Sequence, residues 1–243
     1  TKDYAHILDD AGFLYGIRDF YKTQGKGPRA LYVTPDKVYT ANYYTGELVA
    51  FNGSSKDMVS TSLGAALAST QKGKGDMYFH DASIGFQEWQ SWASCHPNDA
   101  RMDGLNWDLL NDGMGNPKNT KTLVLSHQTP PCMVSGIRKD AETAVISGIK
   151  YILFAASTEE IAPAIDVYLK SLSPVPSPYL VNGNLSEAAQ KGKVHFEKNC
   201  ASCHSGTYYT DMKQYKVNWT NGPDKNVKMD VPALNEVWRT APS

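Results

Sequence analysis

The chain has 243 residues, with 24 Lys and Arg against 25 Asp and Glu, so its formal net charge of -1 offers no bulk positive field to recruit nucleic acid or an anionic membrane. With 41% apolar residues and a mean hydropathy of -0.43 it reads as a globular chain. No uninterrupted apolar run approaches the roughly 18 residues of a membrane span, and the N-terminal "TKDYAHILDD" lacks the basic region and apolar stretch of a signal peptide.

The first predicted elements are strands. Leu31-Tyr32-Val33, Val38-Tyr39-Thr40 and Leu48-Val49-Ala50-Phe51 are short runs rich in β-branched and aromatic residues. Pro35-Asp36 and Thr45-Gly46 supply turns between them. They predict a small meander over 28–53, and three short strands need neighbours to pack against. After about residue 60 the character changes, and residues 62–68 are rich in small side chains. Residues 140–172 predict two helices, because Ala144, Ile149, Leu153, Ile161, Ile165 and Leu169 fall near helical spacing. Asp140 is expected to cap the first, and Ser157 or Thr158 the second, with Glu159 and Glu160 in its first turn. "SPVPSP" at 173–178 is a stiff linker. Ser186-Glu187 then opens a helix that runs to Cys200. The expected chain is mainly α, with a β meander at 1–60 and two further domains at 61–175 and 176–243.

Those two domains are related by an internal repeat. "SWASCHP" (91–97) and "NCASCHS" (199–205) share Ala-Ser-Cys-His. Upstream, "KGDMYFHD" (74–81) matches "KGKVHFEK" (191–198) at Lys-Gly and at a phenylalanine four residues after the glycine. Downstream, Leu123 precedes Thr129-Pro130-Pro131 as Leu234 precedes Thr240-Ala241-Pro242. Three anchors in one order indicate duplication. The first copy continues well past its Thr-Pro-Pro and the second stops at Ser243, which gives the expectation that the chain is part of something longer, with a naturally short second domain as the alternative.

The second copy carries Cys200-x-x-Cys203-His204, the attachment sequence of c-type haem. Each thiol can add across a haem vinyl group, and the adjacent histidine reaches the iron as the proximal ligand. A thioredoxin-like redox pair would follow a strand in a βαβ unit, and a zinc site would need further ligands, for which only Cys95-His96 offers itself. Met212 and Met229 follow the motif, and packing is the bland reading of both.

In the first copy Trp92 stands where the first cysteine would be. Three readings stay open: a second haem held by one thioether from Cys95 and ligated by His96; a dead site with Cys95 paired to Cys132; or a thiol and histidine without special role. If haem is present, Met133 in "TPPCM" is the distal candidate and His127 its competitor. A buried free thiol is the default for Cys132. Trp107, in the polar, glycine-rich stretch 103–123, could line a cofactor or sit between redox centres, against the reading of a large packing residue.

"FQEWQSWASCHPNDARMDGLNWDLLNDGMGNPKNTKTLVLSHQTPP", "GKVHFEKNCASCH" and "PALNEVWRTAPS" together resemble the bacterial di-haem cytochrome c peroxidase and MauG superfamily, in particular members fused behind a seven-bladed, YncE-like β-propeller. The meander at 28–53 is similar to a last propeller blade. The resemblance implies two cytochrome c-like haem domains behind a propeller-blade-like meander. It implies haem c on Cys200, Cys203 and His204, a second haem at Cys95 and His96, and calcium as a further cofactor. Trp92 departs from the pattern. The family's Tyr-x-His-Asp-Gly continuation lies beyond this chain, and no histidine precedes "GNPKNT" at the usual distal position. The implied function is an extracytoplasmic haem oxidoreductase, periplasmic or at the bacterial cell surface. It would exchange electrons with a small cytochrome or cupredoxin and reduce hydrogen peroxide. The alternatives are a pure electron carrier and a partner-binding propeller protein with a degenerate haem domain.

Overall fold

The computed structural model describes residues 19–53, 55–102, 104, 106–108, 117–216 and 224–239, with Gly12 and Gly16. The chain divides into two compact units, Thr1–Gly64 and Ala65–Ser243. The first is an antiparallel meander of β1 (Pro28–Val33), β2 (Val38–Asn42), β3 (Glu47–Phe51) and β4 (Met58–Ser62), in that order. Three of these strands match the β-branched and aromatic runs. The fourth, "MVSTS", has one large apolar residue on its exposed stretch and gives a weak strand signal. Val49 and Tyr44 are buried in this unit, and the Arg29 guanidinium lies 4.4 Å from the Tyr43 ring centroid and 5.0 Å from that of Tyr44.

The second unit is built on α1 (Gln71–His80), the single turn α2 (Trp92–Cys95), α3 (Ala141–Tyr151), α4 (Ile161–Lys170) and α5 (Glu187–Asn199). Two ribbons accompany them: β5 (Asn106–Trp107) with β6 (Lys118–Asn119), and β7 (Gln214–Lys216) with β8 (Lys228–Asp230). The described residues therefore mix helices with a four-stranded sheet and two ribbons. No described helix is long and apolar enough to cross a membrane.

The core of this unit gathers Phe79, Val145, Ile149, Ile165, Tyr168 and Leu169. Each large apolar side chain of this set contributes about 1.5–3 kcal/mol by leaving water. Helix α3 starts where Asp140 accepts from Thr143 N at 2.8 Å, and it buries Ala141, Val145, Gly148 and Ile149 on one stripe. Helix α4 buries Ala162, Ile165, Tyr168 and Leu169 at the same spacing. Its start differs from the expected side-chain cap. Glu160 holds the cap position without a side-chain hydrogen bond, and Thr158 contributes its carbonyl to Ala162 N at 2.9 Å. Helix α1 has Gly73 and Gly75 in its first turns and a weak intrinsic preference for helix. Those glycines let it lie against backbone: a Cβ at Gly75 would run into the Ala164 carbonyl of α4, and one at Gly73 into that of Leu67.

Candidate functional site

Helix α5 is capped by Ser186, whose Oγ accepts from Ala189 N at 3.2 Å, and it delivers the chain directly into the complete motif. Cys200 N donates to Phe196 O at 2.8 Å, Cys203 N to Cys200 O at 3.2 Å, and His204 N to Cys200 O at 2.9 Å. One tight turn thus carries both thiols and the imidazole, and both thiols are free. The His204 ring is oriented by its neighbour: Nδ1 lies 2.9 Å from the Tyr209 carbonyl oxygen. A carbonyl only accepts, so Nδ1 carries the proton and Nε2 keeps its lone pair for a metal. This is the outer hydrogen bond that fixes the tautomer of a ligating histidine. Around the turn Val194, Tyr209, Met212 and Tyr215 are exposed, and within α5 only Phe196 is even half-buried. Two thiols, a poised Nε2 and an uncovered apolar surface fit a large, flat, apolar group held by thioethers. No group of three or more His, Cys, Asp or Glu side chains gathers among the described residues, so no described side chains complete a zinc set here.

The first motif borders a cavity of about 250 Å³. Cys95, His96, Trp92, Trp107 and Met133 all line it, so the residues singled out for a cofactor in this half of the repeat come together at one place. Trp92 takes the room of the missing cysteine in a defined way. Its indole packs into the notch at Gly148 of α3, where a Cβ would lie 2.6 Å from Cζ2. It also approaches Phe79 at 5.9 Å between centroids and stacks on His96 at 6.2 Å with 30° between planes. Cys95 is buried, with Sγ 3.8 Å from Gln90 Oε1. Neither Cys95 nor Cys132 is in a disulfide, so the alternative that pairs them is not formed here. Cys132 also lines the cavity, and burial pushes its thiol up to about 11 against the partial relief of Lys121, leaving it neutral near pH 7. Met133 sits on a turn closed by Gly136 N donating to its carbonyl at 3.2 Å. His127 is not in the lining: Nε2 lies 2.8 Å from Asp166 Oδ1, a hydrogen-bonding contact that turns the ring away from Met133.

Several residues of this cavity carry no sequence signal. Lys121 and Asp230 meet at 2.6 Å in its wall, joining the two halves of the repeat. Burial raises the Asp230 carboxyl above its ordinary range. Trp92 Nε1, Ser126 Oγ, Ser135 Oγ and Asn235 Nδ2 are buried polar atoms on lining residues with no partner among the described residues. All four can donate, so a guest with acceptor oxygens and an apolar body fits this cavity.

The architecture has solved counterparts. No family model matches the chain. One structure of similar fold is a MauG-like protein associated with microbial copper homeostasis, with a TM-score of 0.53, 16% identity, and coverage of 71% of this chain and 68% of that one. Another is hydrazine synthase of Kuenenia stuttgartiensis under xenon pressure, with a TM-score of 0.62, 21% identity, and coverage of 70% and 72%. In sequence, the chain is 31% identical over 147 residues to hydrazine synthase subunit gamma of Kuenenia stuttgartiensis, a match covering 54% of this chain and 42% of the relative. The match thus spans less than half of that relative. The fold is shared with a MauG-like protein and with hydrazine synthase.

Proposed function

We propose that the chain is a c-type haem oxidoreductase with two haem sites, acting outside the cytoplasm. The observation that carries this reading is the turn at Cys200, Cys203 and His204, where a carbonyl holds the ring so that Nε2 is free to ligate. Bound there, haem supplies a one-electron iron couple. Cys200 and Cys203 would hold it by two thioethers, and His204 would ligate its iron through Nε2. At the first motif Cys95 would hold the group by one thioether, His96 would offer a ring nitrogen to the iron, and the buried donors of the cavity would bind its oxygens. Trp107 lies in the same lining, where an indole can carry electrons to the iron. Met133, in the same lining, would be available as a second ligand in an electron-carrying role, and peroxide reduction would require that ligand to be absent. A small cytochrome or cupredoxin donates electrons. The meander of the first unit is a propeller blade. Thioether attachment takes place outside the cytoplasm, hence the location in the periplasm or at the cell surface.

A second reading is favoured by the match to hydrazine synthase subunit gamma: the chain serves as a haem subunit of an enzyme that forms hydrazine. The deciding experiment starts with intact mass and a haemochrome count on one sample. Two haems support the reading at both motifs, one confines it to Cys200 and Cys203, and none overturns it. Peroxide-dependent oxidation of a reduced cytochrome then supports a peroxidase, hydrazine formation the second reading, and neither activity a pure electron carrier.

A further inference from the structure

Both histidine loops are tied to the same short segment near the end of the described chain. Leu234 N donates to Tyr208 O at 3.2 Å, next to the Tyr209 carbonyl that holds His204. Two residues on, the Glu236 carboxylate meets Arg101 Nε at 2.7 Å, with the two side chains only 3% and 7% exposed. Arg101 stands five residues after His96, as Tyr209 stands five after His204. In the second copy that position orients its histidine through a carbonyl. In the first copy it acts through a guanidinium, whose Nη1 donates to Asn98 O at 2.8 Å and Asp99 O at 3.1 Å. Those two residues and Ala100 all have positive φ, at 52°, 60° and 64°. Three successive non-glycine residues in the left-handed region need outside support. Arg101 Nη2 also donates to Ser173 O at 3.2 Å, and the second Glu236 oxygen accepts from Val175 N at 2.7 Å.

We propose that Glu236 is a positioning residue for His96, acting through Arg101, and that Leu234–Glu236 is a strap coupling the loops of the two histidines. The strap holds the left-handed turn after His96 from the opposite half of the repeat. Movement of one loop therefore reaches the other along three residues. The role of His96 as an iron ligand rests on the function proposed above; the mechanical coupling does not.

The test compares the full chain with Glu236→Gln and with the double variant Arg101→Met, Glu236→Met, which replaces the ion pair by apolar side chains and leaves no unpaired buried charge. Hydrogen exchange is read at the amides of Arg101, Leu123 and Leu234, which donate to Pro97, Ala100 and Tyr208. In both variants exchange at Arg101 and Leu123 is expected to rise about tenfold, while amides of α4 keep their protection. The electron paramagnetic resonance signature of the His96 haem is expected to shift, with that of the His204 haem moving less. Unchanged exchange in the double variant overturns the strap, whatever the haem count. Faster exchange with an unmoved spectrum overturns the positioning role and keeps the coupling. Faster exchange in a protein holding one haem overturns instead the assignment of iron to His96.

Discussion

At the scale of single residues, the two motifs do different things with nearly the same letters. Cys200, Cys203 and His204 sit on an open turn, and the Tyr209 carbonyl fixes the imidazole. Cys200→Ser should keep a covalent haem there on one thioether, seen as a shifted haemochrome α band, and the double serine variant should lose it, as read by intact mass after denaturation. At the first motif the indole of Trp92 is packed into the Gly148 notch. Trp92→Cys restores the full attachment sequence, so a second thioether is expected, seen as a shift of the haemochrome α band. It also empties the notch, and a loss of about 3 kcal/mol is expected in urea unfolding. A haemochrome band unchanged from the parent would show that the cysteine position does not face the guest.

At the scale of elements, the helices owe their existence to different sources. Helix α3 carries its own instructions: an Asp140 cap and an apolar stripe. The Thr143 hydroxyl and N–H hold the Asp140 carboxyl below its ordinary value of 3.8. A lowered folded value means this contribution is present above about pH 4 and is lost as pH falls through the folded value. Asp140→Asn keeps a capping side chain, so it should retain the helix at neutral pH and flatten the acid dependence of the urea midpoint. Asp140→Ala should lower the midpoint at neutral pH as well. Helix α1 has the opposite character, since its glycines weaken it alone and permit its contact with α4. Gly75→Ala raises helix propensity, yet it should destabilise by about 1–3 kcal/mol because the new methyl meets the Ala164 carbonyl. A rise in thermal midpoint for that variant would show that propensity outweighs the contact.

At the scale of the molecule, the two halves of the repeat are joined by buried charge. Lys121 with Asp230 and Arg101 with Glu236 both cross between them. Lys121→Ala leaves the Asp230 carboxyl, only 4% exposed, without its cation. A loss of about 1–3 kcal/mol is expected, read from urea unfolding, with the second unit still melting in one transition. Two separate transitions would mean that the halves fold independently and that these pairs only dock them. The repeat is also less regular than its shared motifs suggest, in sequence as well as in space. Phe79 precedes Cys95 by 16 residues and Phe196 precedes Cys203 by 7, so the first copy inserts nine residues (16 − 7) between helix and motif. Phe79 is a core residue, whereas Phe196 is half-buried against Tyr209 at 5.9 Å.

Sequence by itself determined whatever local chemistry writes into neighbouring letters. Three strands follow from β-branched runs and turn residues, α3 from its cap and apolar spacing, α5 from its cap, and the second motif from the Cys-x-x-Cys-His spacing. It also marked Cys95, His96, Trp107 and Met133 without saying that they share a cavity. Helix α1 was not legible, because Gly73 and Gly75 lower its propensity and only the close approach of α4 offsets that cost. The start of α4 was not legible either, since a backbone carbonyl replaces the expected side-chain cap. Trp92 read as a lost cysteine until Gly148, 56 residues later, supplied its notch. Lys121, Asp230, Arg101 and Glu236 carry no motif at all. A buried ion pair depends on which distant segments desolvate each other, and only the tertiary structure decides that.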